Sequence, residues 1–334
     1  MMSVRAAPTV AGVLLAASAT FFLSASDLRA QGEDPGCAAA ATEFQDACQK
    51  TVDVFSYLVP QLGAAVAGGN ATLGQAGSLG GFGHFSLGLR GTVVKGDIPK
   101  FSDITVHTTG ASPDTLPVGV AAVPMASLDA GIGLFPGFPV GLTSVGSLDF
   151  LLDAFYLPTY SSNSVSIHPS SPLRIGFGGR VGLLKETSVI PGVGVTYVQH
   201  DLPTTTIIAM DGAGDSLRVQ NMSLKTTSWR IVAGKNLFLL GLAGGIGQDT
   251  YDAHTSIGAE VSGLTSGTAE LAAPHEHLTR TNYFADVTLH FALVRITGEI
   301  GGVSGGKIST FNTFSGSSAG AGRLYGALGT GIKI

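Results

Sequence analysis

The chain has 334 residues, of which 12% are charged, 44% hydrophobic and 48 glycine, with a formal net charge of −5. A soluble domain carries about 25% charge, so half the usual solvated surface is missing, and the scattered lysines and arginines form no stripe for a nucleic-acid backbone. Helical membrane spans need about 20 consecutive apolar residues, collagen needs a strict glycine period, and recurrent Val, Ile, Leu and Phe argue against disorder.

Residues 1–30 read as a cleaved signal peptide. Arg5 supplies the basic start, Val10 to Leu23 the apolar core, and cleavage is expected after Ala30. The alternative is an uncleaved anchor. The residues before Cys37 form no lipobox. Cys37 and Cys48 are the two cysteines of the chain, eleven positions apart. In an exported protein they are expected to form one local disulfide; two free buried thiols are the alternative.

Residues 31–80 differ in pattern from the rest of the chain. Thr42 and Gln45 fit a capping box. Phe44, Cys48, Val52, Phe55 and Val59 recur at helical steps, which predicts an amphipathic helix of about 17 residues. Pro60 and the Gly63 to Gly69 stretch are expected to end it. The glycine-rich run beyond reads as a linker. The helix would plug a barrel mouth or lie against a periplasmic rim. Asn70-Ala71-Thr72 is formally a glycosylation sequon, but nothing else supports that use.

From residue 81 the period becomes two. Phe85, Leu87, Leu89 and Val93 oppose His84, Ser86 and Arg90. Leu128, Ile132 and Leu134 oppose Asp129. Leu148, Phe150 and Tyr156 oppose Asp149 and Asp153. Ile175, Phe177 and Val181 oppose Arg174 and Arg180. Val193, Val195 and Tyr197 form the next segment. Trp229 and Ile231 then oppose Arg230, and Leu240, Leu242 and Ile246 oppose Asp249. Tyr283, Val287 and Leu289 oppose Asp286 and His290. Ile296 and Ile300 oppose Arg295 and Glu299. Leu324, Leu328 and Ile332 oppose Arg323 and Lys333. One apolar face and one charged, glycine-rich face suit a strand between lipid and lumen. Closure satisfies every backbone group where no water reaches.

Connections alternate long and short. The long ones, near 96–117, 157–171, 202–216, 254–279 and 304–320, are rich in Ser, Thr, Gly and Pro. The short ones lie near Phe135-Pro136-Gly137, Lys185-Glu186-Thr187, Gly234-Lys235-Asn236 and Ala292-Leu293. The predicted fold is all-β: a transmembrane antiparallel up-and-down barrel over 81–334. It has about ten strands, within two either way, behind a short N-terminal helical segment. An even strand number puts both barrel ends on the short-turn side and agrees with an N-terminal segment left in the periplasm.

This pattern, with a final alternating strand (GRLYGALGTGIKI), resembles the bacterial outer-membrane β-barrel proteins, although the chain ends in Ile334 where they usually end in Phe or Trp. The resemblance implies an outer-membrane location, insertion by the barrel-assembly machinery and contact with outer-membrane lipid.

The interior charges Arg90, Arg174, Arg180, Arg230, Arg295 and Arg323 are expected to pair with Asp129, Asp149, Asp153, Asp249, Asp286 and Glu299. A barrel of about eight strands is filled by its own side chains, so a mostly occluded interior is expected. The alternative is a narrow wet channel.

Two runs, Gly302 to Gly306 and Gly316 to Gly320, fit a nucleophile-elbow pattern literally but sit before a strand rather than a helix. GLAGGIG at Gly241 to Gly247 is likewise no phosphate loop. His254, His275 and His277, with Glu276, are placed in one external loop, as solvated residues or a surface metal site. Ser86 with His84, and His290 with Asp286 and Glu299, are the residues an outer-membrane esterase would use. The expected function is non-catalytic, structural or surface-interacting, without cofactor or metal. The alternatives are a passive transporter for small or hydrophobic solutes gated by the N-terminal segment, and a lipid-modifying enzyme.

Overall fold

The computed structural model describes residues 32–162, 164–210, 215–261 and 271–334; the signal-peptide expectation therefore falls outside the described residues. Ten strands make the wall: β1 Phe85–Pro99, β2 Val118–Phe135, β3 Ser147–Tyr156, β4 Leu173–Leu184, β5 Gly192–Asp201, β6 Ser216–Leu237, β7 Leu240–Glu260, β8 His275–Phe291, β9 Val294–Ser304 and β10 Arg323–Lys333. Each pairs antiparallel with its neighbours in sequence, and β10 returns to pair with β1. Ser86 faces Lys333 at one end of that seam and Val94 faces Tyr325 at the other. The ten-strand wall closes on itself and has no open edge, as a wall facing lipid requires.

The pleat explains the alternation. Phe85, Leu89, Leu128, Phe177, Trp229, Ile246, Val287 and Ile296 are exposed on the outside, while Arg90, Asp129, Arg180, Arg230, Asp249 and Asp286 on the other parity are buried. Tight connections join β6 to β7 at Phe238-Leu239 and β8 to β9 at Ala292-Leu293. Phe238 and Ala292 take φ of 59° and 54° there, the left-handed step that two-residue hairpins require.

At the opposite end the strands run longer than a bilayer crossing needs. A tilted strand crosses with about 9–11 residues, yet β6 has 22 and β7 has 21. The two ends of the loop expected at 254–279 are strand: His254 pairs with His275 and Asp252 with His277 across β7 and β8. Outside lipid the outer face no longer needs apolar residues, so the hydrophobic alternation fades while the hydrogen-bonded ladder continues.

The N-terminal segment departs from expectation in three ways. The helix α1 Pro35–Ala39 leads into α2 Thr42–Ala67, and Cys37 and Cys48 are disulfide-bonded between them. First, α2 runs through Pro60 to Ala67. Pro60 removes one backbone donor, a cost of about 3 kcal/mol, but its surroundings hold the helix on course. Val59, Ala64, Ala65 and Val66 are all buried. Second, there is no capping box: Ala41 is the N-cap, and Gln45 Nε2 donates instead to the carbonyls of Ala38 and Ala40, both at 3.2 Å.

Third, the segment is threaded through the barrel rather than left beneath it. The start of α2 lies at the long-loop end, where Gln45 and Thr42 approach Gly110 and Gly36 approaches Leu271. The helix then descends past Tyr251, and residues 68–84 continue through the lumen to enter β1 at the short-turn end. At the long-loop end Ala47 and Val54 pack with Phe101, Ile104, Leu116, Leu217 and Ala259 into an apolar cluster of their own. That cluster makes the long-loop end a solid cap around the upper half of the helix.

Candidate functional site

The lumen is lined by the charged row of the strands, and the N-terminal segment is docked onto it. Of the twelve interior charges expected from parity, eleven are buried; Arg174 has the inward parity but is exposed at the rim. Three cross-strand ion pairs form: Arg90–Asp129 at 2.5 Å, Arg180–Asp149 at 2.8 Å and Arg230–Asp249 at 2.7 Å. Arg323 reaches Asp97 at 2.7 Å, a partner outside the expected set. Asp153 meets His200 at 3.1 Å.

The arginine of each of the three pairs also holds the chain that fills the lumen. Arg230 Nη2 donates to the carbonyl of Ala67, the last residue of α2. A cation there satisfies an orphan carbonyl and complements the negative end of the helix dipole. Arg90 Nη1 donates to the carbonyl of Asn70 at 2.7 Å, and Arg180 Nη1 donates to Thr72 Oγ1 at 2.7 Å. Asp149 accepts from Ser78 Oγ at 3.0 Å and from the Leu79 amide at 3.1 Å. Asp286 and Glu299 face each other across β8 and β9. Asp286 accepts from Asn70 Nδ2 at 2.8 Å and the Gly74 amide at 3.0 Å, and Glu299 accepts from the Asn70 amide at 2.8 Å.

Gly69 shows why the linker is glycine-rich. Its φ is +87°, and a Cβ there would collide with the Glu299 carboxylate, so only glycine turns the chain this close to the wall. Asn70, the residue of the sequon, is fully buried.

Higher up, Gly63 lies against the Tyr251 ring, and Gln61 brackets the backbone of Asp97 with a donor and an acceptor. Asp53 on α2 accepts from the amides of Phe311 and Asn312 and from Asn312 Nδ2, tying the β9–β10 loop to the helix. Burial pushes the Asp53 carboxyl up to about 6, against those three donors, which favour its charged form.

Room in the lumen is scarce. Where α2 meets the linker, among Ala67, Arg90, Asp129 and His200, the void is about 20 Å³. That is space for about one water, not a solute. A larger cavity of about 320 Å³ lies at the short-turn mouth, below the linker.

The other candidates do not assemble. His275 and His277 stand 3.4 and 3.2 Å from the single carboxylate of Asp252 on the outer face of β7 and β8, while Glu276 has the opposite parity. Among the described residues these side chains do not converge into a metal-holding cluster. His84 Nδ1 lies 3.3 Å from the Gly81 carbonyl rather than on Ser86. Ser304 ends β9, and Gly305 and Gly306 lead into a loop, not a helix. Sequence reasoning missed Arg280, which is fully buried and donates to the carbonyl of Ala321 at 2.6 Å. It lies in the part of β8 between the expected loop, which ends near 279, and Tyr283, where the strand was expected to begin. The tethering residues Asn70, Thr72 and Ser78 were missed too; no periodicity marks a coil that takes its order from the wall around it.

Its architecture is that of a closed ten-strand antiparallel β-barrel. Among solved structures, the chain is similar to Ail, the attachment invasion locus protein of Yersinia pestis, at 10% identity over 76% of this chain and 99% of that one, with a TM-score of 0.25. It is also similar to the toluene transporter TodX of Pseudomonas putida, at 12% identity over 80% and 97%, with a TM-score of 0.24. A FadL homologue of Pseudomonas aeruginosa matches at 10% identity over 83% and 97%, with a TM-score of 0.25. No protein-family model and no curated protein matches the chain.

Proposed function

We propose that this protein is a non-catalytic barrel of the bacterial outer membrane whose lumen is closed by its own N-terminal segment, and that it serves at the cell surface in a structural or interaction role. The observation that carries this reading is the threaded helix and linker, held by Arg90, Arg180, Arg230, Asp149, Asp286 and Glu299 with about 20 Å³ left at mid-lumen. The outer cap of long strands and helix is the face offered outward. Outer-membrane lipid meets the apolar wall, and the barrel-assembly machinery is the expected route of insertion. The test is planar-bilayer recording of the intact chain. The closed reading expects no stable single-channel steps, and such steps from the intact protein would sink it.

A second reading is a passive transporter for small or hydrophobic solutes, gated by the N-terminal segment. One feature favours it: the lower part of the plug, residues 68–84, contains neither helix nor strand and is held to the wall by side-chain hydrogen bonds. Conductance that appears only when those bonds are weakened would favour this reading.

A further inference from the structure

The cavity at the short-turn mouth has a composition that the plugging role does not use. Its walls are the ends of β4, β6, β7, β8, β9 and β10 on one side and the linker from Gly74 to Leu79 on the other. Lys185, Lys235, Arg295 and Lys333 line it, with His290, against one carboxylate, Glu186. That carboxylate is already engaged: it accepts from the Asn236 amide at 2.6 Å and from Asn236 Nδ2 at 2.7 Å, and lies 4.0 Å from Lys235.

Arg90, Arg180, Arg230 and Arg323 each meet a carboxylate in the lumen; Arg295 does not. Arg295 is 8% exposed, and among the described residues it makes no ion pair; its one side-chain contact is Gln75 Oε1 at 3.4 Å. His290 is its cross-strand partner on the same inward face, and the His290 Nδ1 is buried without a hydrogen-bond partner. A buried guanidinium without a carboxylate partner, among three lysines and beside an open volume of about 320 Å³, forms a site short of a ligand rather than short of space.

The geometry points to an anion site of the phosphate class at the periplasmic mouth of the barrel. Arg295 is its buried anchor, and the Lys333 and Lys185 ammonium groups supply charge at the rim. Guanidinium matches phosphate oxygens in a fork, and the volume accommodates a phosphomonoester. The same chemistry is carried by free phosphate compounds and by a phospholipid headgroup. The site does not depend on whether the barrel conducts.

Isothermal titration of the purified full chain in a neutral detergent tests this with two probes, inorganic phosphate and short-chain dihexanoyl phosphatidylglycerol. Saturable one-site binding of either supports the site. Binding of phosphate assigns a soluble source, and binding of the lipid alone assigns the headgroup. Arg295→Gln is expected to weaken the bound probe about tenfold and Lys333→Gln about threefold, with both variants retaining heat-modifiable migration on gels. If Arg295→Gln fails to fold, Lys333→Gln at the exposed rim decides alone. Absence of binding by both probes, or binding unchanged by the variants that fold, overturns the proposal.

Discussion

Arg180 illustrates what the buried charges do. It is 1% exposed, paired with Asp149 and bonded to Thr72 of the plug. Two charges taken out of water return little net stability, but removing one and leaving the other buried costs about 3–5 kcal/mol. Asp149→Leu is therefore expected to destabilise the barrel by about that amount in urea unfolding from detergent. The double variant Asp149→Leu/Arg180→Met should recover much of the loss. Equal stability of Asp149→Leu and the parent would contradict the pairing. This residue-level logic was legible beforehand, because parity alone separated Asp149 and Arg180 from Leu148 and Val181. Arg174 was misjudged because parity gives the face and not the depth: its strand position is at the rim, where inward and wet are the same. Arg280 was missed for the complementary reason, since polar neighbours on both faces of β8 conceal a strand that has left the membrane.

At the scale of elements, the helix is the least predictable part. Its period was readable from Phe44 to Val59, but its length was not, because Pro60 is a helix breaker only where nothing else holds the chain. Inside the barrel the wall holds it. The disulfide was legible from the spacing of the two cysteines in a chain read as exported, and it fastens the turn between α1 and α2. Cys37 and Cys48 are both fully buried, in the apolar cluster that includes Ala272 and Ile257. A bridge closing a loop of about this size is worth roughly 2–4 kcal/mol. Its effect should stay local, because the ten-strand ladder needs no help from it. Cys37→Ser/Cys48→Ser is expected to make residues 32–48 sensitive to protease at the outer face while the barrel keeps its heat-modifiable migration. Loss of barrel migration in that variant would show that the segment is required for assembly of the wall.

For the whole molecule, the scarce charge and the abundant glycine are two consequences of one arrangement. The outside is given to lipid, so ions are confined to a lumen where they meet partners or hold the plug. Glycine lets a 26-residue helix and a coil share the interior of ten strands. Hydrophobic period reports which face a strand buries, but not from which end a neighbouring segment enters the lumen, and so the path of residues 32–84 was not legible. That path makes a topological claim with a sharp test. The start of α2 lies with the long loops, whereas β10 ends with the short turns, so positions at the two sites belong to opposite sides of the membrane. Ala41 is exposed at the first and Lys333 at the second. Both native cysteines are bridged and buried, so an added cysteine is the sole free thiol. In intact cells a membrane-impermeant maleimide is expected to label Ala41→Cys, and to reach Lys333→Cys only after the outer membrane is permeabilised. The opposite pattern would place the segment in the periplasm. Labelling of both positions in intact cells would mean that the lumen is open to a reagent larger than any void among the described residues at its centre.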